Sequence, residues 1–291
     1  NPLDVDGPTA SLSNLLSIFL CLSCTSIIGW RRDFRQTIFY FMTFKEETIF
    51  TAKNYEIQMT ADQSPTLRPD GKESMHHMGG AASESVYLYY QALDRYFKIN
   101  SLSSVRVLSF GFGLGYNELI TMIYFLKNNL DLNQLNLISY EKDIFLYDLF
   151  NDWLSESVSS GNSIYNEVLS GILRALESQG VNVSVVDLKN TIRAQQVNKK
   201  WYQLGAVSSL SDFNGPFDVV FYDAYSAKTN EFLWSEEFLN DFFQTKLSQR
   251  FVYSTYACTS VLKRVAHLNE CSFDKRDGFM GKRNSSLIYR L

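Results

Sequence analysis

The sequence predicts an α/β protein whose sheet is mostly parallel with one antiparallel edge. Three observations carry this. Short apolar runs rich in Val, Ile and Phe alternate with helical patterns from residue 105 to residue 268, as in chained βα units. The first of these runs, VRVLSF (105–110), leads directly into a glycine turn, GFGLGY, and then into the helical pattern NELITMIYFL. The closing residues SFDKRDGFMGKRNSSLIYRL read as two extended pieces around a Gly-bearing turn, a hairpin and not another βα unit.

In chain order, residues 49–60 contain short strand-like pieces. The stretch ADQSPTLRPDGKESMHHMGGAASES follows, dense in turn residues, and a polar loop of this length inside a compact domain is usually functional. Val86, Tyr90, Leu93 and Phe97 then fall at helical spacing over residues 85–97. LNLISYE (135–141) is the second strand of the parallel series, and residues 144–153 and 166–179 are helical, the latter stopped by Gly180. VNVSVV (181–186) reads as a third strand ending on Asp187, and residues 188–214 as a polar connection. FDVVFY (217–222) is a fourth buried strand ending on Asp223, RFVYSTY (250–256) a fifth, and 261–268 a helix. The expected organisation is an extension over 1–41, an N-terminal cap over 42–100 and a main domain over 101–291. The first Met is Met42. The run 12–30 is apolar but Ser-rich, with acids before it and arginines after it, which is the wrong polarity for a secretory signal and marginal for a spanning helix. We expect this segment to lie upstream of a start at Met42; a membrane anchor is the alternative.

Composition narrows the function classes. A hydrophobic fraction of 45% and an aromatic fraction of 15% allow a substantial core. The net charge of −4 does not announce nucleic acid, but residues 263–291 hold seven Lys or Arg against three acids, a +4 tail on a −8 body. A basic end suggests an anionic partner met by one face; a solvated surface hairpin is the alternative. The four cysteines include a lone C-x-x-C (Cys21, Cys24) without a second pair, and His76 and His77 are adjacent. A reduced, cytoplasmic chain without a structural metal is the expectation.

The glycine turn and the strand-end acids define the expected site. Gly111, Gly113 and Gly115 let backbone approach a ligand where a Cβ would collide. Their G-x-G-x-G spacing lacks the third glycine of the dinucleotide fingerprint, which favours an adenosine ligand such as S-adenosylmethionine; a plain tight turn is the alternative. Glu141, with Asp143 as substitute, is placed to accept the hydroxyls of a ribose. Asp187 is placed for an adenine amino group, and Asp223 for the reacting centre.

Four blocks of sequence then carry a family resemblance. DQSPTLRPDGKESMHHMGGAASES, SFGFGLGYNEL, FYDAYSAKTNEFLW, and YSTYA followed by GFMGKR resemble, in order, the signatures of the methyltransferase half of MnmC and its stand-alone relative MnmD. The likeness runs from about Asp62 to Arg283, and with no oxidase-like segment in these residues it is to the stand-alone form. It departs from the family at Leu114, Tyr116, Ala227 and Glu231, and in the length of the connections 155–180 and 188–214. The resemblance implies a Rossmann-like class I methyltransferase fold. It also implies S-adenosylmethionine as cofactor and N-methylation of 5-aminomethyl-2-thiouridine at the tRNA wobble position, with tRNA and upstream tRNA-modification enzymes as partners. Asp223 is then the catalytic acid, and Gly111, Gly113, Gly115, Asn117, Glu84, Glu141 and Asp187 hold the cofactor. Tyr225 and Trp234 would stack on an extruded base, with Tyr222 better suited to the core. Lys282 and Arg283 would meet the RNA. Another amine-directed transferase on the same fold, such as an aminopropyltransferase, and a non-enzymatic adenosine- or RNA-binding module are the rival readings.

Overall fold

The structure is a computed structural model that describes residues 50–51, 53–100, 104–155, 163–279 and 284–291. The expected extension over 1–41 with its Cys21 and Cys24, the expected start at Met42, and Lys282 and Arg283 lie outside the described residues, which all belong to one compact unit. The first strands among the described residues form a two-stranded antiparallel hairpin, β1 (Tyr55–Met59) and β2 (Pro65–Pro69). A helical stretch follows: α1 (Ala81–Ser85), a wide π turn (Val86–Tyr90) and α2 (Gln91–Phe97).

Five strands then run parallel: β3 (Val105–Phe110), β4 (Leu135–Tyr140), β5 (Trp201–Leu204), β6 (Phe217–Tyr222) and β7 (Leu247–Thr255). Helices α3 (Tyr116–Lys127), α4 (Ile144–Ser155), α5 (Ile164–Ala175), α6 (Val185–Val197) and α7 (Glu236–Lys246) connect them. After α8 (Ser260–Leu268), β8 (Ser272–Arg276) and β9 (Ser285–Arg290) close the sheet, with β9 inserted between β7 and β8 and antiparallel to both. The resulting order is β5-β4-β3-β6-β7-β9-β8. β3, β4 and β6 are buried along almost their whole length, as strands covered on both faces must be. On β3, Val105 and Val107 enter the core beneath α1–α6, while Leu108 and Phe110 enter a second core beneath α7 and α8.

One expectation fails. Residues 181–184 are not a strand, and Val185–Val197 is helix. The alternation V-N-V-S-V suggests a period of two, but Ser184 is a helix N-cap whose side chain accepts from the Asp187 N–H, and Val185, Leu188 and Ile192 continue at helical spacing. The third parallel strand is Trp201–Leu204 instead, inside the segment expected to be a polar connection. It has four residues at the sheet edge, and only Trp201 is fully buried.

Strand register positions the site. Phe110 pairs with Tyr140 on one side and Tyr222 on the other, and Tyr140 pairs with Leu204. Gly111, Glu141, Asp223 and Gly205 therefore leave four neighbouring strands at the same level. Because β4 and β6 depart from β3 in opposite directions, this level is the switch point where open α/β sheets bind ligands.

Candidate functional site

Gly111 leaves the sheet at φ 100°, and a Cβ on it would stand 2.6 Å from the Asp223 carbonyl oxygen. The approach is set by two hydrogen bonds: Gly111 N–H donates to the Tyr140 carbonyl (3.1 Å) and Asp223 N–H to the Phe110 carbonyl (2.9 Å). Gly113 (φ 54°) donates its N–H to Glu141 Oε2 at 3.0 Å, and Asp143 N–H donates to Glu141 Oε1 at 2.9 Å. The Glu141 carboxylate is thus pinned to the loop it faces. Burial raises its proton affinity, while the Asp143 and Gly113 amides work against that shift. Asp143 is committed elsewhere: its Oδ1 accepts from the Phe145 N–H at the start of α4, and its Oδ2 from the Tyr55 hydroxyl (3.0 Å). Gly115 begins α3 with φ 70°, its Cβ position packed against the rings of Phe112 and Phe150.

Asn117, buried on the first turn of α3, directs its Nδ2 to Asp223 Oδ2 at 3.5 Å, and its Oδ1 is buried without a partner. Beside it Glu118 is fully buried. Ser139 Oγ donates to its Oε1 at 2.7 Å, and burial pushes its pKa up to about 7 against the Ser109 and Ser139 hydroxyls. Asp223 itself is partly exposed at the floor of the crevice. Burial raises its pKa to about 7, with the charge of Glu84 adding to the rise and Tyr89 and Asn117 opposing it. Glu84 comes from α1, where its Oε2 accepts from the His77 N–H at 2.8 Å.

Tyr225 is half-buried between the acids. Burial and then the charges of Glu141, Asp223 and Asp143 raise its phenol, and Lys72 Nζ lies 5.6 Å from its ring centre. Trp234 is only 7% exposed, its ring edge-on to Tyr222 and Tyr256 and its Nε1 donating to the Tyr225 carbonyl at 2.7 Å. It thereby holds the loop after Asp223 in shape and offers little ring face for stacking. Tyr222 is core, its hydroxyl donating to the Leu233 carbonyl (2.6 Å). A cavity of about 400 Å³ adjoins this loop, lined among others by Glu73, Ser226, Lys228, Trp234, Tyr256 and Asn284.

The sequence-predicted residues Gly111, Gly113, Gly115, Asn117, Glu84, Glu141, Asp223 and Tyr225 thus converge on one crevice. Asp187 does not join them: it is exposed on the first turn of α6, away from any strand end, because the strand it was to terminate is a helix. The β5 end offers Gly205 instead, where an added Cβ would meet nothing within 4 Å. Tyr89 and Glu118 were missed, since both sit within helical patterns that read as packing. His76 is half-buried, with Nδ1 3.0 Å from Thr66 Oγ1, and desolvation lowers its pKa to about 4. Among the described residues no group of three or more His, Cys, Asp or Glu is placed to hold a metal ion, and no helix is long and apolar enough to cross a membrane.

Much of the basic tail is used internally. Arg264 grips Glu236 through two nitrogens (2.9 and 2.6 Å), Arg290 donates to the Asn269 carbonyl (2.6 Å), and Arg276 is drawn into the fold.

The residues present fit an adenosyl group. There is a carboxylate at the β4 end, open space at Gly205, a loop with glycine at every second position, and a buried amide oxygen without a partner. Residues 170–288, from within α5 through most of β9, match the sequence model of an S-adenosyl-L-methionine-dependent methyltransferase family. The fold is that of class I S-adenosyl-L-methionine-dependent methyltransferases, and the family match falls on less than half of the chain. An uncharacterized protein of Methanocaldococcus jannaschii is 25% identical over 250 residues, which is 84% of this chain and 63% of that protein, so this chain spans less than two thirds of that relative. Among solved structures, MnmC2 from Aquifex aeolicus superposes with a TM-score of 0.51 at 19% identity, covering 96% of this chain and 83% of that one, a likeness of fold.

Proposed function

We propose that this methyltransferase N-methylates the aminomethyl group of 5-aminomethyl-2-thiouridine at the tRNA wobble position. The observation that carries the reading is Asp223: an acid at the switch point, beside the glycine loop, with its pKa raised to about 7. An alkyl ammonium stays protonated near neutral pH and must lose a proton before its nitrogen can act as a nucleophile. An unperturbed Asp is too weak a base for this, but one that titrates near 7 is matched to the task. The four sequence blocks shared with the MnmC and MnmD methyltransferases supply the substrate, and the fold likeness to MnmC2 agrees with them.

When bound, S-adenosylmethionine supplies an electrophilic methyl group. Glu141 would accept hydrogen bonds from the ribose hydroxyls, Gly205 would leave room for the adenine, and the Gly111–Gly115 backbone and Asn117 would meet the rest. The Asp223 carboxylate accepts an N–H of the acceptor ammonium, orients its nitrogen and takes up the proton. Tyr225 lies over the same floor and stacks on the base. Lys282 and Arg283 meet the phosphates. Enzymes that install the aminomethyl group act upstream, in the cytoplasm.

The test is methyl transfer to tRNA carrying the aminomethyl group against unmodified tRNA, with only the former labelled. Asp223→Asn is expected to lower the rate by roughly 10²-fold or more at saturating cofactor, with S-adenosylmethionine affinity unchanged. The parent's rate is expected to rise through pH 7, and raising the pH is expected to recover part of the variant's rate, since more of the amine is then already neutral. Equal labelling of unmodified tRNA would remove the proposed acceptor.

A further inference from the structure

We infer that Tyr89 is a positioning residue for Asp223, delivered to it by the π turn in the N-terminal helical stretch. The inference rests on Asp223 being the acceptor-facing acid, and it names the group that holds that acid. Between α1 and α2 the helix widens over Val86–Tyr90. Such single π turns shift the register of all that follows and recur at functional sites. Here the shift turns Tyr89 onto β6: its ring lies 5.0 Å from that of Phe221. Phe221 and Asp223 are two residues apart and so share one face at the end of that strand. The Tyr89 hydroxyl is fully buried and its approach to the Asp223 carboxyl falls short of a well-formed hydrogen bond, yet each of the two shifts the other's proton affinity. A dry hydroxyl without a partner is costly, and one aimed at a carboxyl gains a partner when that carboxyl swings to meet it.

The π turn is braced by side chains of β7 and β8. The Leu88 carbonyl accepts from Ser254 Oγ on β7 at 2.8 Å and from Arg276 on β8 at 3.4 Å. Arg276 also donates to Ser254 Oγ at 2.8 Å and lies 5.5 Å from the centre of the Tyr87 ring. An arginine is thus spent inside the fold on one helical carbonyl and its neighbours, an investment that a plain packing helix does not need. The titratable groups facing Asp223 are Glu84 from α1, Tyr89 from the π turn, Glu118 from α3, Tyr225 from its own loop and Tyr256 after β7. Burial and Glu84 favour the protonated acid, and the Tyr89 hydroxyl favours the carboxylate. Removing that hydroxyl therefore moves the titration of Asp223 upward.

The experiment uses the full chain without cofactor. The stability difference between the parent and Asp223→Asn, followed against pH, levels off where Asp223 finishes titrating. In a Tyr89→Phe background, which keeps the ring on Phe221, that bend is expected to move up by roughly half a unit to one unit. The acidic limb of kcat/KM on aminomethyl tRNA is expected to move with it, while S-adenosylmethionine affinity by calorimetry stays at the parent value. Ser254→Ala, which loosens the brace, is expected to move the bend in the same direction by less. An unmoved bend in Tyr89→Phe, or in Ser254→Ala should Tyr89→Phe not fold, overturns the inference. Because the bend is read without turnover, it reports on Tyr89 even if the aminomethyl uridine proves not to be the acceptor.

Discussion

At the scale of single residues, the fold works against the charge of the acid it positions best. Asp223 titrates near 7 in the folded protein and near its ordinary value when unfolded, so the unfolded chain releases its proton first as pH rises. The sign follows: native stability is undiminished by this group below about pH 4, declines as pH rises from there toward 7, and stays lowered above it. Asp223→Asn removes the titration. Its melting temperature is therefore expected to exceed the parent's above pH 7 and to converge with it below pH 4. A scan showing equal melting temperatures at pH 8 would mean that Asp223 is better solvated than its surroundings indicate. Asp223 and Glu141 were legible in the sequence because each follows an apolar run directly, and parallel pairing brings such positions together. Tyr89 was not, because a one-residue widening of a helix leaves no mark on apolar spacing. Glu118 was not, because a buried acid one residue from Asn117 looks like any helix-surface charge.

At the scale of elements, the loop between β1 and β2 is fixed to α1 through Thr60, Ser64 and above all Asp62. Asp62 Oδ1 accepts from Thr60 Oγ1 (2.7 Å), from the Ser64 N–H (3.1 Å) and from Ser64 Oγ; Oδ2 accepts from the Ser83 N–H (2.9 Å) and Ser83 Oγ (2.7 Å). Burial acts to raise its pKa, but the Ser64, Ser83 and Thr60 donors outweigh it and hold the carboxyl below its ordinary range. Gly80 has no alternative at φ 154°, since a Cβ there would stand 2.5 Å from Asp62 Oδ2. Asp62→Ala strands these donors and is expected to lower unfolding free energy by on the order of 3 kcal/mol, read from the denaturant midpoint. A loss within a few tenths of a kcal/mol would make the cluster incidental. The same scale explains the misplaced strand. Residues 181–186 alternate as a strand would, yet Ser184 with Asp187 three positions later begins a helix, and cap chemistry overrides a short alternation. The true β5 is too short and too thinly buried to stand out, so its neighbours and not its own sequence make it a strand.

At the scale of the whole molecule, parallel alternation with a terminal hairpin was legible because buried strands need continuous apolar runs. The charge map was less so. Of the seven cations in residues 263–291, Arg264, Arg276 and Arg290 bind groups of the fold itself, which leaves Lys263, Lys275, Lys282 and Arg283, and the proposed RNA contact is assigned to the last two. Reversing both to Glu is expected to weaken tRNA binding most at low salt and to flatten its salt dependence, leaving S-adenosylmethionine affinity intact. Unchanged tRNA affinity at every salt concentration would free the tail from that role.

The insertion of β9 between β7 and β8 also bears on how the protein is made. Leu88 and Arg276 are 188 positions apart, and β7 gains its second neighbour only through residues 285–290. On the ribosome, the glycine loop and Asp223 emerge long before Arg276 and the strand that holds it. A growing chain therefore carries an unpaired β7 edge and an unbraced π turn until β9 is delivered. Translation that halts between residues 256 and 284 would yield a product with every candidate cofactor contact present in its sequence and an open strand at its surface, a species for chaperones or proteases and not a weaker enzyme.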